Sequence, residues 1–191
     1  MERKMKNIKK SLFKKALIIL LIILFVPSIG FSETRKTYYD SGELQFEHTY
    51  NNAKKEGPCK KYYKSGKVEM EGNYRKGKLE GPYKLYYGNG KLNREVNYKK
   101  GKKEGPSIAY YESGKIMLKT TYKMGNWEGP YETYYENGNL QSEGTFRKNK
   151  EKGLFLLYYE NGKVRKTSIY KRGLAISTKK YDEQGKLIKE E

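Results

Sequence analysis

The sequence predicts an all-β fold: an elongated antiparallel β-meander of 24-residue hairpin repeats, laid out as a single twisted sheet. Three observations predict it. Paired tyrosines return every 24 residues, at Tyr38/Tyr39, Tyr62/Tyr63, Tyr86/Tyr87, Tyr110/Tyr111, Tyr134/Tyr135 and Tyr158/Tyr159. A glycine follows each pair three residues on, at Gly42, Gly66, Gly90, Gly114, Gly138 and Gly162. Glycine recurs too often for helix, since each one in a helix interior costs about 1 kcal/mol. A fixed period of this length marks a quasi-one-dimensional array in which each unit packs on its neighbours.

Taken in order, the chain opens on a basic stretch, with seven Lys and Arg against Glu2 between Met1 and Lys15. Ala16 to Val26 is then unbroken and apolar, Pro27 ends it, and Gly30-Phe31-Ser32 places small residues at the −3 and −1 positions. This is the pattern of a secretory signal peptide over residues 1–32, cleaved near Ser32. The apolar run is short beside the roughly 20 residues of a spanning helix. An uncleaved N-terminal membrane anchor is the alternative. Export to the periplasm, the outer surface or the medium follows from the first reading.

Residues 33–172 hold the six units, each with two strand-like runs and two turns. In the third, Pro82 to Tyr87 and Lys91 to Tyr98 flank Asn89-Gly90. Asn-Gly is the preferred pair of a two-residue type I′ turn. Such a turn places Tyr87 opposite Leu92 and Lys84 opposite Glu95. The same register pairs Tyr39 with Leu44, Tyr63 with Val68, Tyr111 with Ile116, Tyr135 with Leu140 and Tyr159 with Val164. Lys36/Glu47 and Lys60/Glu71 repeat the charge pair. Two strands per unit give about twelve strands. Alternation along each strand separates two faces. One carries Tyr87, Leu92, Val96 and Tyr98 and is expected to be buried. The other carries Asn93, Glu95 and Asn97 with a ladder of Tyr38, Tyr62, Tyr86, Tyr110, Tyr134 and Tyr158, about 9–10 Å apart. The apolar face of a single layer needs cover, from twist, curling or self-association. In the tail, residues 173–191, Tyr181, Gly185 and Leu187 make a partial seventh unit, read as a C-terminal cap.

The motifs YY-x-N-G-K-L and G-K-x-E-G-P-Y resemble the MORN repeat family, in the bacterial variant found in YwqK-type antitoxin proteins. The resemblance covers Glu33 to Glu191. It implies a β-hairpin array used for binding, without one agreed ligand.

Catalytic chemistry is sparse. The one histidine, His48, shares a column with Val96, Thr120 and Gly144, and the one cysteine, Cys59, shares one with Tyr83, Ser107 and Tyr131. Both read as structural fillers, with an intermolecular disulfide open to Cys59. There is no metal-ligand spacing, nucleophile elbow or phosphate loop, so no catalytic, cofactor or metal residue is assigned. The glutamates of E-G-P, at Glu56, Glu80, Glu104 and Glu128, recur once per unit. A repeated, equivalent carboxylate suits turn structure better than an acid–base pair, whose two members need different environments.

Charge says more. The chain carries a formal +19. Without residues 1–32, 34 basic and 21 acidic side chains leave about +13. The turns on one edge, such as Lys99–Lys103 and Arg147–Glu151, are rich in Lys and Arg, whereas those on the other edge mix both signs. A basic edge discourages edge-to-edge aggregation and also attracts anionic surfaces. The candidate partner-binding residues are the six ladder tyrosines with Lys99, Lys100, Lys102, Lys103, Arg147, Lys148 and Lys150. The leading expectation is an exported, non-enzymatic scaffold for a protein partner or for anionic lipid or envelope polymer. Self-association through the apolar face is a further option. Nucleic acid fits the charge, but an exported protein seldom meets it. The alternative is an antitoxin that neutralises a partner toxin.

Overall fold

The computed structural model describes residues 32–191. The expected signal peptide or anchor lies outside the described residues, apart from Ser32. One open antiparallel sheet contains sixteen strands. They are β1 (Ser32–Tyr38), β2 (Leu44–Asn51), β3 (Lys54–Tyr62), β4 (Val68–Arg75), β5 (Lys78–Leu79), β6 (Gly81–Tyr86), β7 (Leu92–Lys99), β8 (Lys102–Tyr110), β9 (Ile116–Lys123), β10 (Asn126–Tyr134), β11 (Leu140–Arg147), β12 (Lys150–Glu151), β13 (Gly153–Tyr158), β14 (Val164–Lys171), β15 (Leu174–Tyr181) and β16 (Leu187–Glu190). Consecutive strands pair throughout, with β5 and β12 branching off β4 and β11. The count exceeds twelve because a bulge before Gly81 and Gly153 splits two strands, and because the tail adds the β15–β16 hairpin.

The turns differ from expectation in an ordered way. At Tyr87–Lys91 the loop has three residues, not two. Gly90 N–H donates to the Tyr87 carbonyl at 2.8 Å, and Tyr87 N–H donates to the Lys91 carbonyl at 2.9 Å. In this loop the positive φ falls on Gly90 alone, at 92°. The asparagine works through its side chain: Asn89 Oδ1 accepts the Lys91 N–H at 2.8 Å, and Asn137 and Asn161 repeat the bond. An Asx-type bond favours the ordinary type I turn, and the left-handed glycine then closes it. The two-residue turns lie on the opposite edge. There Lys76-Gly77 and Lys100-Gly101 take φ of 52°/76° and 52°/81°.

The aromatic–aliphatic pairing shifts accordingly. Leu92 pairs with Tyr86, not Tyr87, and Val68, Ile116, Leu140 and Val164 pair with Tyr62, Tyr110, Tyr134 and Tyr158. One residue further on the register shifts again, so that Leu85 faces Arg94 and Lys84 faces Glu95 as expected. The extra loop residue and the bulge cancel. The expected faces for Val96, Tyr98, Tyr86 and Glu95 therefore stand, while the partner of Tyr87 does not.

The core is a strip along one face. Its central row runs through Tyr83, Val96, Ser107 and Thr120 to Tyr131 and Gly144. Val96, Ser107 and Thr120 are buried, as are Cys59, Tyr122, Phe146 and Phe155. Rings pack edge to face along it, Tyr83 on Tyr98, Phe146 on Trp127, and Phe155 on Phe146 and Tyr170, with centroids 4.9–5.4 Å apart. Such pairs add roughly 0.5–1.5 kcal/mol to burial. Glycine makes the room: a Cβ on Gly144 would come within 2.5 Å of the Phe155 ring, and one on Gly72 within 2.8 Å of Tyr83. His48 fills this row, 5.5 Å from the Phe46 ring; burial lowers its pKa, helped by Lys55. Burial likewise raises the Cys59 thiol, which is 2% exposed.

Candidate functional site

The expected ladder is real as a row, and its hydroxyls are engaged within the chain. Tyr62 Oη donates to Glu47 at 2.7 Å, Tyr86 to Glu71 at 2.5 Å and Tyr110 to Glu95 at 3.2 Å. Tyr158 donates to Glu143. In the one unit where Lys119 replaces the glutamate, Tyr134 turns to Glu132 and accepts from Lys119. Burial first, then the glutamate, pushes the phenols of Tyr62, Tyr86 and Tyr158 up to about 12. Tyr38, at the first strand, is 57% exposed.

The second tyrosine of each pair is a staple that the sequence reading missed. Tyr39, Tyr63, Tyr87, Tyr111 and Tyr135 each donate to the backbone carbonyl of the next unit's first tyrosine, at 2.6–2.8 Å. Tyr159 does the same to Tyr181. The return of the second tyrosine every 24 residues was its only trace in the sequence.

The glutamates of E-G-P act within units, each reaching the turn that ends its own hairpin. Lys76, Lys100, Met124 and Lys148, the left-handed residues of the two-residue turns, donate their backbone N–H to Glu56, Glu80, Glu104 and Glu128 at 2.6–2.9 Å. A buttress of this kind offsets the cost of a non-glycine residue at positive φ.

The same turns form the basic edge. Lys99, Lys100, Lys102, Arg147, Lys148 and Lys150 are exposed, and none joins an ion pair among the described residues. Lys103 is partly committed, its ammonium 5.0 Å above the Tyr122 ring. The structure does not bring edge and ladder together. Lys99 lies seven residues along β7 from Leu92, the partner of Tyr86, a separation of about 23 Å at ~3.3 Å per residue. A cleft of about 660 Å³ opens at the last of these turns, lined by Arg147, Lys148, Lys150, Lys152, Lys171 and Arg172 around Tyr170, with Glu151 as its one acidic side chain. Lys152, Lys171 and Arg172 are additions to the expected set; the signal for Lys152 was that it breaks the E-G-P motif.

Among the described residues, no three His, Cys, Asp or Glu side chains gather as metal ligands.

Comparison with known proteins agrees with the repeat. The sequence profile of a family described as MORN repeat variant matches residues 34–52, 55–76, 79–100, 103–124, 127–148 and 151–172. No curated protein matches the chain. Among solved structures, a crystal structure of a GtfA/B complex bound to UDP and GlcNAc is similar over 63% of this chain and 24% of that one, at 12% identity and a TM-score of 0.24. That likeness is too distant to bear on function.

Proposed function

The chain belongs to the MORN repeat variant family, and from that premise we propose that it is an exported, non-enzymatic scaffold whose basic turn edge binds an acidic partner. The family supports the scaffold, since MORN repeats commonly serve as modules that bind proteins or membranes. The observation that carries the ligand class is the contrast between the two candidate sets. The ladder hydroxyls are bonded within the sheet, whereas the edge lysines stand in solvent without an acidic partner. The E-G-P carboxylates at these turns are engaged by backbone N–H groups, and the remaining excess of cationic side chains creates a field that attracts anions and speeds their encounter. An acidic protein is the partner favoured; an anionic lipid or envelope polymer shares the same electrostatics.

Export rests on the basic, apolar and small-residue succession before Glu33. The test is fractionation with N-terminal sequencing, followed by capture on the intact mature chain at low and high salt. A chain beginning at or near Glu33 with a salt-sensitive acidic partner is the expected result. An intact Met1 in a soluble cytoplasmic pool, co-purifying with a toxin, would overturn it in favour of the antitoxin reading suggested by the YwqK-type motifs.

A further inference from the structure

We propose that the turn at Arg172-Gly173 is a binding site for a carboxylate supplied by another protein, a glutamate or aspartate of an acidic segment. The proposal rests on the acidic-partner reading and names its anchor point.

The repeat itself shows what this position holds. In four units the N–H of the first turn residue is bonded by the E-G-P glutamate 20 residues earlier. For Arg172 that position is Lys152. The bulge before the strand and the turn's dihedral angles are kept. Lys152 N–H donates to the Thr145 carbonyl at 2.9 Å, as Glu80 N–H does to Asn73. Arg172 takes φ of 55°, beside 52° for Lys100. Gly173 rests on the Lys150 stem as Gly101 rests on the Lys78 stem. The second turn amide differs as well. Gly77, Gly101, Gly125 and Asn149 each donate to a carbonyl 22 residues earlier, and Gly173 has no such bond among the described residues.

Two adjacent backbone N–H groups, of Arg172 and Gly173, are thus left without an acceptor among the described residues. Arg172 lines a cleft whose other walls carry Arg147, Lys148, Lys150, Lys152 and Lys171 against a single carboxylate, Glu151. Replacing a glutamate by a lysine removes the carboxylate and adds a positive charge, so the position both lacks an anion and attracts one. Successive N–H groups around a left-handed residue form an anion-binding concavity. Four other units show that a carboxylate fits this turn. The surrounding charge, with Lys148, Lys150 and Lys171 beside Arg172, suits a segment bearing several carboxylates. The Tyr170 ring and the lysine stems offer carbon surface for its backbone.

The test titrates the full mature chain with a hexaglutamate peptide. The readouts are the backbone amide resonances of Arg172 and Gly173 and the overall affinity. Saturable shifts confined to this turn are expected. Lys152→Glu, which restores the residue found in the other units, should keep the fold, remove those shifts and weaken binding about tenfold, a change of ~1.4 kcal/mol. Lys102→Glu makes the same charge change at another turn and should leave the Arg172 shifts in place. Equal effects of Lys152→Glu and Lys102→Glu would overturn the site while leaving the basic edge intact. No hexaglutamate binding by the wild-type chain at low salt would overturn the edge reading as well. Saturation of the Arg172 shift by inorganic phosphate or phosphatidylglycerol vesicles, but not by hexaglutamate, would overturn the carboxylate assignment.

Discussion

The carboxylate of Glu80 accepts the backbone N–H of Lys100 at 2.7 Å, and Lys100 holds a left-handed φ of 52°. The start of a hairpin therefore supports the strained turn that follows its second strand. Glu80→Ala should lower stability by about 1.5 kcal/mol, the lower end of the ~1.5–3 kcal/mol of a hydrogen bond to a charged group, since this bond is exposed. Lys100→Gly keeps the amide and relieves the strain, so it should change stability by less than ~1 kcal/mol. Urea midpoints of the two variants check both.

Tyr87→Phe deletes the 2.6 Å bond to the Tyr110 carbonyl and little else. A loss of about 0.5–1.5 kcal/mol is expected. Tyr38→Phe, on an exposed ring, should stay within ~0.5 kcal/mol. Thermal melts of the two proteins side by side give the comparison.

Gly144→Ala sets a methyl against the Phe155 ring and should cost about 1–3 kcal/mol, as overpacking does. Adding Phe155→Leu should return part of that loss. Gly88, whose Cβ would meet nothing within 4 Å, should accept alanine freely. Chemical denaturation of the single and double variants tests the small-against-large pattern of the core row.

The phenols of Tyr62, Tyr83, Tyr86 and Tyr158 are raised to about 12, from about 10 in the unfolded chain. Raised values in the folded state mean that the unfolded chain gives up protons first. The stability these groups contribute is complete below pH 10, falls between pH 10 and 12, and falls no further above that. Ultraviolet phenolate titration should show these four among the late-ionising tyrosines of the native protein, with Tyr63, Tyr74, Tyr98, Tyr110, Tyr131 and Tyr134 also shifted upward, and no late-ionising group in the denatured chain.

The repeat, the sheet and its two faces were legible in the sequence because all follow from a fixed period and strand alternation. The turns were not. Asn89-Gly90 carries the signature of a type I′ turn, but the Asn89 side chain binds the Lys91 amide and only Gly90 turns left-handed. A bulge next to Leu92 then restores the register, so the face assignment survives through two departures that cancel. The Tyr87 staple reaches into the next unit and the Glu80 buttress spans 20 residues within one, and no local propensity encodes either. Lys152 was legible as a broken motif. Its consequence became visible only once Glu56, Glu80, Glu104 and Glu128 were seen to hold the turns that Arg172 matches.

The most direct measurement compares the two candidate surfaces on one probe, polyglutamate, across a salt series. One variant changes Lys99, Lys100 and Lys102 to Gln; the other carries Tyr86→Phe and Tyr110→Phe. The lysine variant should lose affinity about tenfold at low salt, and the loss should shrink as salt rises, because exposed charges are screened beyond about 8–10 Å. The tyrosine variant should bind as the wild type does. A folded tyrosine variant that loses as much binding as the lysine variant, or a lysine variant that binds like wild type at low salt, would contradict the account.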